Sequence, residues 1–182
     1  MKSTNVKLTP LTADDRESFI LDNQWAFKHG AMIEFGERDG HTDGDGEIIS
    51  RKTIEDCLDD PQNEAYRITL DGRRVGGAVI KIDKATHHNH LELLFVSPDE
   101  HSKGIGYGAW CEIERMHPET LIWETCTPYF EKRNIHFYVN KCGFHIVEFY
   151  NEFNSDPNEP KEDTHPDEGP DEMFRFIKVM KK

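Results

Sequence analysis

The stretch from Leu91 to Gly108 holds the residues of this chain best suited to chemistry. An apolar strand pattern ends at Val96-Ser-Pro-Asp, and glycines then recur at 104, 106 and 108 where a helical pattern opens. Glycine there lets the backbone approach a ligand closely. The unpaired N–H groups of a helix's first turn, together with its dipole, make an anion site that suits a pyrophosphate. A Walker loop would need Gly-Lys-Ser/Thr after four spacers, and a dinucleotide fold would place its glycines after the first strand of a βαβ unit. Neither arrangement is present.

Inside the strand, alternation puts His90, Glu92, Leu94 and Val96 on one face and Leu91, Leu93 and Phe95 on the other. Glu92 therefore interrupts an apolar run. A carboxylate so placed serves either an ion pair or a proton transfer. Just upstream, His87, His88 and His90 could ligate a metal, but no Cys or carboxylate stands at ligand spacing, so these rings are expected to face solvent and no metal is expected. The run Asp39 to Glu47 is similar to a calcium loop, yet His41 takes an oxygen-ligand place and Ser50 replaces the terminal Glu. Cys57, Cys111, Cys126 and Cys142 are scattered, without a C-x-x-C pair, and are read as small, mostly buried, reduced thiols.

The elements that must position these residues follow from periodicity. Asn5–Pro10 reads as a strand. A helix follows from the N-cap Thr12, with Phe19, Ile20, Trp25 and Phe27 apolar, and a second runs from the N-cap Ser50 to Leu58. Strands at 65–70 and 74–83 flank Asp71-Gly72, a dipeptide suited to a tight hairpin. A strand over 89–96, a helix over 103–116, a strand over 121–126 and a helix over 130–142 come next, with Gly143 as a left-handed stop. Strands at 144–149 and 173–180 finish the order βααβββαβαββ. This is an α/β domain over residues 1–182 with a hairpin-built, largely antiparallel sheet. The last strand, tethered by a long loop, is expected to present a free edge and to support a homodimer.

Composition narrows the function. Thirty-five acidic against 22 basic side chains leave a net charge of -13, which opposes binding to a phosphate backbone. Much of it is local: residues 151–172 hold nine acids against Lys161, with four prolines, and read as an extended acidic loop. The glycine- and acid-rich stretch 36–46 reads as another loop. Apolar runs of a few residues, such as Leu93–Val96, are far short of the roughly 20 that span a bilayer. The first residues lack a secretory h-region, so a cytoplasmic location is expected.

The combined motifs resemble the GCN5-related N-acetyltransferase family. Its signature Arg/Gln-x-x-Gly-x-Gly/Ala reads here as His101-Ser-Lys-Gly104-Ile-Gly106, preceded by Leu94-Phe-Val-Ser-Pro-Asp. The likeness extends to Val75-Gly-Gly-Ala-Val and to Phe137-Tyr-Val-Asn-Lys-Cys-Gly-Phe144, covering residues 5 to 150. It implies a splayed acyl-CoA N-acyltransferase sheet with acetyl-CoA as co-substrate. Backbone groups of Leu94, Phe95 and Val96 would meet the pantetheine, and His101, Ser102, Lys103, Gly104, Ile105 and Gly106 the pyrophosphate. Asn134 resembles the motif asparagine, and Tyr138 the tyrosine that protonates the departing thiolate. Two departures stand out: His101 replaces Arg or Gln, and Tyr138 lies five rather than four residues before Gly143. On an α-helix that extra residue turns Tyr138 by about 100°, so core packing and acid catalysis both stay open for it.

Direct transfer needs a neutral amine, yet a Lys-like amine is neutral in roughly one molecule in a few thousand at pH 7. The resemblance therefore points to Glu92 as base, with His90 as relay, and to a backbone N–H near Val96 as oxyanion donor. The acceptor would be a small-molecule or peptide primary amine, with Trp25, Phe27 and Met32 lying where the family builds its acceptor wall. The competing reading is an acyl-CoA-binding sensor that has lost turnover.

Overall fold

The computed structural model describes residues 5–35, 47–158 and 172–181. Residues 36–46, expected to form a loop and holding most of the calcium-like run, and most of the acidic stretch, 159–171, lie outside the described residues, as does the Met32 side chain. Elements run β1 (Val6–Pro10), α1 (Arg16–Phe35), α2 (Arg51–Asp59), β2 (Asn63–Leu70), β3 (Arg73–Lys81), β4 (His88–Val96), α3 (Ile105–Met116), β5 (Ile122–Pro128), α4 (Lys132–His136), β6 (His145–Tyr150) and β7 (Met173–Val179). The expected order is thus met, in a mixed α/β fold with one seven-stranded sheet ordered β1-β2-β3-β4-β5-β7-β6. Every neighbouring pair is antiparallel except β4 and β5.

Local chemistry explains the boundaries. Asp71 (φ 50°) and Gly72 (φ 79°) both adopt the left-handed conformation of a tight hairpin. The Ser50 hydroxyl accepts the Thr53 N–H at 3.0 Å and caps α2. Thr12 behaves differently: its carbonyl, not its hydroxyl, takes the Asp15 N–H at 3.1 Å, so a short 3-10 turn precedes α1. The helix expected from Phe130 begins at Lys132. From Phe137 to Cys142 it continues as a π-helix, closed by Gly143 at φ 80°.

Two helical layers cover the sheet. On one face α1 and α2 bury Phe19, Ile20 and Ile54 against Val79, Leu93 and Phe95. On the other, α3 and the α4 segment bury Trp110, Ile113, Tyr138 and Cys142 against Ala78, Ile80, Leu91, Trp123 and Phe176. Leu91 and Leu93 belong to opposite faces because β4 bulges between them: Ile80 pairs with Leu91 and Val79 with Leu93, leaving Glu92 as the extra residue. Simple alternation through β4 therefore fails at Glu92. Strand β7 is paired on both sides, by β5 and β6, so the free edge expected of it belongs to β6. All four cysteines are free, but only Cys142 is buried and Cys126 is exposed. Among the described residues no helix is long and apolar enough to cross a membrane.

Candidate active site

The site is organised by a gap in the sheet. Strands β4 and β5 pair only over His88–Ile122, Asn89–Trp123 and His90–Glu124. Beyond His90 they part, and residues 92–96 no longer have a β5 neighbour. The Thr125 hydroxyl donates to the Leu91 carbonyl at 2.9 Å and closes the apex of the opening. Leu94 and Val96 pack toward α3, on the opposite side from Leu93 and Phe95.

At the mouth lies the glycine turn. Gly104 is left-handed (φ 75°) with open space where a Cβ would sit, and Ser102 is also left-handed (φ 66°). The first bond of α3 runs from the Gly108 N–H to the Gly104 carbonyl at 2.9 Å, so the N–H groups of Ile105, Gly106 and Tyr107 have no acceptor one turn back. That is a cradle a phosphate fits. Phe137 lies 3.5 Å from the position of a Gly106 Cβ, which sets α4 directly beside the turn. The His101 ring does not reach outward as an Arg or Gln would. Its Nε2 donates to the Val96 carbonyl at 2.9 Å and its Nδ1 accepts from Arg133 Nη1 at 3.0 Å. Burial lowers its pKa, and the neighbouring Arg133 and His29 charges oppose protonation further. Lys103 Nζ is held by Glu100 at 2.8 Å.

Tyr138 is buried against Phe144 and Phe176 and shares a hydrogen bond with the Thr125 hydroxyl. Burial drives its pKa up, so the phenol holds its proton. The π turn absorbs the extra residue before Gly143 and brings Tyr138 over the apex of the opening. Asn134 Nδ2 donates to the Thr127 hydroxyl on β5 at 3.4 Å.

Across the sheet, Glu92 is exposed to solvent on one side yet crowded by protein atoms on the other. That desolvation raises its pKa, and Asp60 and Glu124 add to the rise, while His90 and Lys81 oppose it. The bulge turns it away from the Leu94 and Val96 side, contrary to the sequence expectation. The histidines also depart from expectation: His88 and His90 stack at 5.5 Å, half-buried, and His88 Nε2 donates to Glu124 Oε2 at 2.9 Å. Sequence reading missed Glu124 because it reaches them only through β4–β5 pairing.

His88, His90 and Glu124 bring ligand-type atoms within 4.8 Å of one another. Arg175, however, donates from Nε to Glu124 Oε1 at 2.7 Å and from Nη2 to Oε2 at 2.8 Å. Burial favours protonation of Glu124, but these bonds outweigh it and hold the pKa low. A guanidinium clasping both oxygens marks an ion-pair network rather than a cation site. The thiols flanking Glu92, the half-buried Cys57 and the partly exposed Cys126, are pushed up to about 12, first by the protein atoms that crowd them and second by nearby carboxylates. Thiols so poorly ionised are not nucleophiles.

The site thus combines a splayed mixed sheet, a phosphate-type turn at one end of the opening and titratable groups across it. Residues 21–144 match the acetyltransferase (GNAT) family. The chain belongs to this family. It is 49% identical over 171 residues to the uncharacterized protein YrkN of Bacillus subtilis (strain 168), covering 92% of this chain and 90% of that one. Among solved structures it resembles an acetyltransferase from Thermus thermophilus, with TM-score 0.66, 14% identity and coverage of 99% and 100% of the two chains. It also resembles spermidine N-acetyltransferase from Vibrio cholerae in complex with CoA and spermine, with TM-score 0.64, 11% identity and coverage of 96% and 95%.

Proposed function

We propose that this protein transfers the acetyl group of acetyl-CoA to a primary amine of a small molecule or peptide, by direct attack within a ternary complex. The observation that carries the reading is the opening between β4 and β5, with the glycine turn at its mouth and Glu92 on the far face. A thioester entering along residues 94–96 from the α3 side meets an amine held on the α1 and α2 side. The Vibrio cholerae neighbour, complexed with both CoA and the amine spermine, supports the reading.

When bound, acetyl-CoA supplies the activated acyl group, and the residues of this chain supply proton transfer and orientation. Glu92 takes the proton that the ammonium acceptor must lose, with His90 beside it as relay. As the amine nitrogen bonds to the carbonyl carbon, negative charge gathers on the carbonyl oxygen, and a backbone N–H near Val96 stabilises it. The C–S bond then breaks, and the Tyr138 phenol gives its proton to the departing thiolate. The phenolate recovers one from the nitrogen of the new amide through solvent. Cys57 and Cys126 take no part, in keeping with direct transfer.

The test is release of free CoA thiol with a panel of amines, alongside calorimetric binding of acetyl-CoA. Amine-dependent release supports the reading. Tight cofactor binding without release from any amine would instead make the chain an acyl-CoA sensor.

A further inference from the structure

Strand β6 is an outer strand of the sheet, and among the described residues none pairs with its free side. Natural edges are usually blunted by charge or proline, because their unpaired N–H and C=O groups accept another strand. This one is largely apolar. Ile146, Val147, Phe149 and the neighbouring Tyr129 are all exposed, and Phe153, on the turn that follows, is 89% exposed. These five are half of the large apolar side chains that the described residues leave exposed, and an apolar patch gathered at one place marks an association surface. Register against β7 fixes their direction. Directly opposed residues share a face of a sheet, so Ile146 opposite Phe176 and Phe149 opposite Phe174 lie on the α3 side, whereas His145 opposite Ile177 and Glu148 opposite Arg175 lie on the other. Val147 is the extra residue of a bulge, which is why positions 145 and 148 share a face.

We infer that β6 pairs antiparallel with β6 of a second copy of this chain, about a twofold axis between Ile146 and Val147. In that register the edge is complementary to itself. His145 of each copy stands opposite Glu148 of the other on the same face, so a ring N–H meets a carboxylate twice over. Ile146 meets the partner copy's Val147 at the axis, and Phe149 lies diagonally across from the partner copy's Ile146 on the α3 side. Centring the axis on Ile146 or on Val147 would oppose side chains from different faces. Centring it between Val147 and Glu148 would bring two carboxylates together. Glu148 has room for such a partner, since Arg175 and Asn154 reach it only at 3.4 Å each. Arg175 in turn clasps Glu124, which takes the His88 N–H. The His145 contact therefore continues a line of polar contacts from one copy's β6 to the β4–β5 junction of the other, on the face that bears Glu92.

The pairing needs neither acetyl-CoA nor an amine, so it is tested on the full chain alone, by sedimentation equilibrium, and stands or falls apart from the proposed activity. At about 50 μM, well above a micromolar Kd, the wild type is expected at twice the chain mass. Val147→Lys sets two ammonium groups beside the axis and should raise the dimer Kd by about a hundredfold or more, the scale of like charges forced together in an interface. His145→Glu places a carboxylate opposite the partner copy's Glu148 at both ends and should raise Kd by about tenfold. Adding Glu148→Lys to the same chain should recover that loss, because the pair re-forms with its signs exchanged. A wild type that sediments as a monomer at this concentration overturns the inference and leaves the edge to a partner of another sequence. A dimer unmoved by Val147→Lys, or a His145→Glu loss that Glu148→Lys does not recover, puts the interface elsewhere and overturns it as well. Circular dichroism spectra matched to wild type guard against a folding defect in the variants.

Discussion

The Tyr138 carbonyl accepts the N–H of Phe144 at 2.9 Å and also that of Gly143, five residues ahead, because the helix between them is wound as a π turn. A π turn holds one more residue than an α turn. A tyrosine five residues before the capping glycine therefore occupies the place that an α-helix would give to one four residues before it. The displaced spacing argued against Tyr138 as an acid, and the winding removes that objection.

Tyr138→Phe is accordingly expected to cut kcat by about a hundredfold, the lower range for loss of a general acid, while leaving acetyl-CoA affinity unchanged. The ring packing against Phe144 and Phe176 is retained in this variant. Steady-state rates with the best amine, set beside calorimetric affinity, decide the matter. Unaltered kcat would assign Tyr138 to the core alone.

Glu92→Gln should lower kcat and abolish the rising limb of the pH–rate profile, because only the ionised carboxylate can take the amine proton. A second readout comes from stability. Crowding raises the Glu92 pKa in the folded state, so its favourable contribution is present below the unfolded value and lost as pH rises through the folded one. Glu92→Gln should thus melt at or above the wild-type temperature at pH 7.5, with the difference vanishing toward pH 4. Thermal scans across that range test the sign, and a variant less stable at pH 7.5 would place Glu92 in a structural ion pair instead.

Much of this frame was legible in the sequence because it depends on neighbours along the chain. Asp71-Gly72 demanded a tight turn, Gly104 and Gly106 a close backbone approach, and Gly143 a left-handed stop. What escaped was set by tertiary pairing. The bulge at Glu92 exists because Leu91 and Leu93 are drawn into cores on opposite faces, which no period in β4 reveals. Glu124 meets His88 and His90 only through parallel pairing with β5, and Arg133 meets His101 only because α4 lies on the turn. The histidine run looked solvent-exposed for lack of a carboxylate that lay on another strand.

The start of α1 is joined to β2 by a buried ion pair. Arg67 donates from Nε to Asp15 Oδ2 at 2.6 Å and from Nη1 to Asp22 at 2.8 Å, with its guanidinium 5.2 Å from the Phe19 ring centre. Burial would raise the Asp15 pKa, but the hydrogen bonds from Arg67 and Ser18 outweigh it and lower it. Its stabilising contribution is therefore present above the unfolded value of 3.8 and lost as pH falls through the lower folded value. Asp15→Asn leaves Arg67 buried without its main counter-charge and should cost about 3 kcal/mol at pH 7. Urea unfolding at pH 7 and pH 3 should show the gap to wild type narrowing in acid.

The seat of α1 on the sheet links packing to acceptor binding. Phe19 and Phe95 meet edge to face at 5.1 Å directly above Gly77, where a Cβ would lie 2.3 Å from the first ring and 2.6 Å from the second. Both rings are buried, so neither can swing into solvent, and Gly77→Ala must lift α1 or displace β4. Overpacking of this kind costs about 1–3 kcal/mol. Because α1 and α2 cover the face that Glu92 shares, while the glycine turn sits at the mouth of the opening, the strain should fall on the acceptor. We expect KM for the amine to rise in Gly77→Ala with little change in acetyl-CoA affinity, and Phe19→Leu in the same chain to restore part of both stability and KM by making room for the added methyl. Matching losses in amine KM and cofactor affinity would show instead that β4 yields and α1 holds.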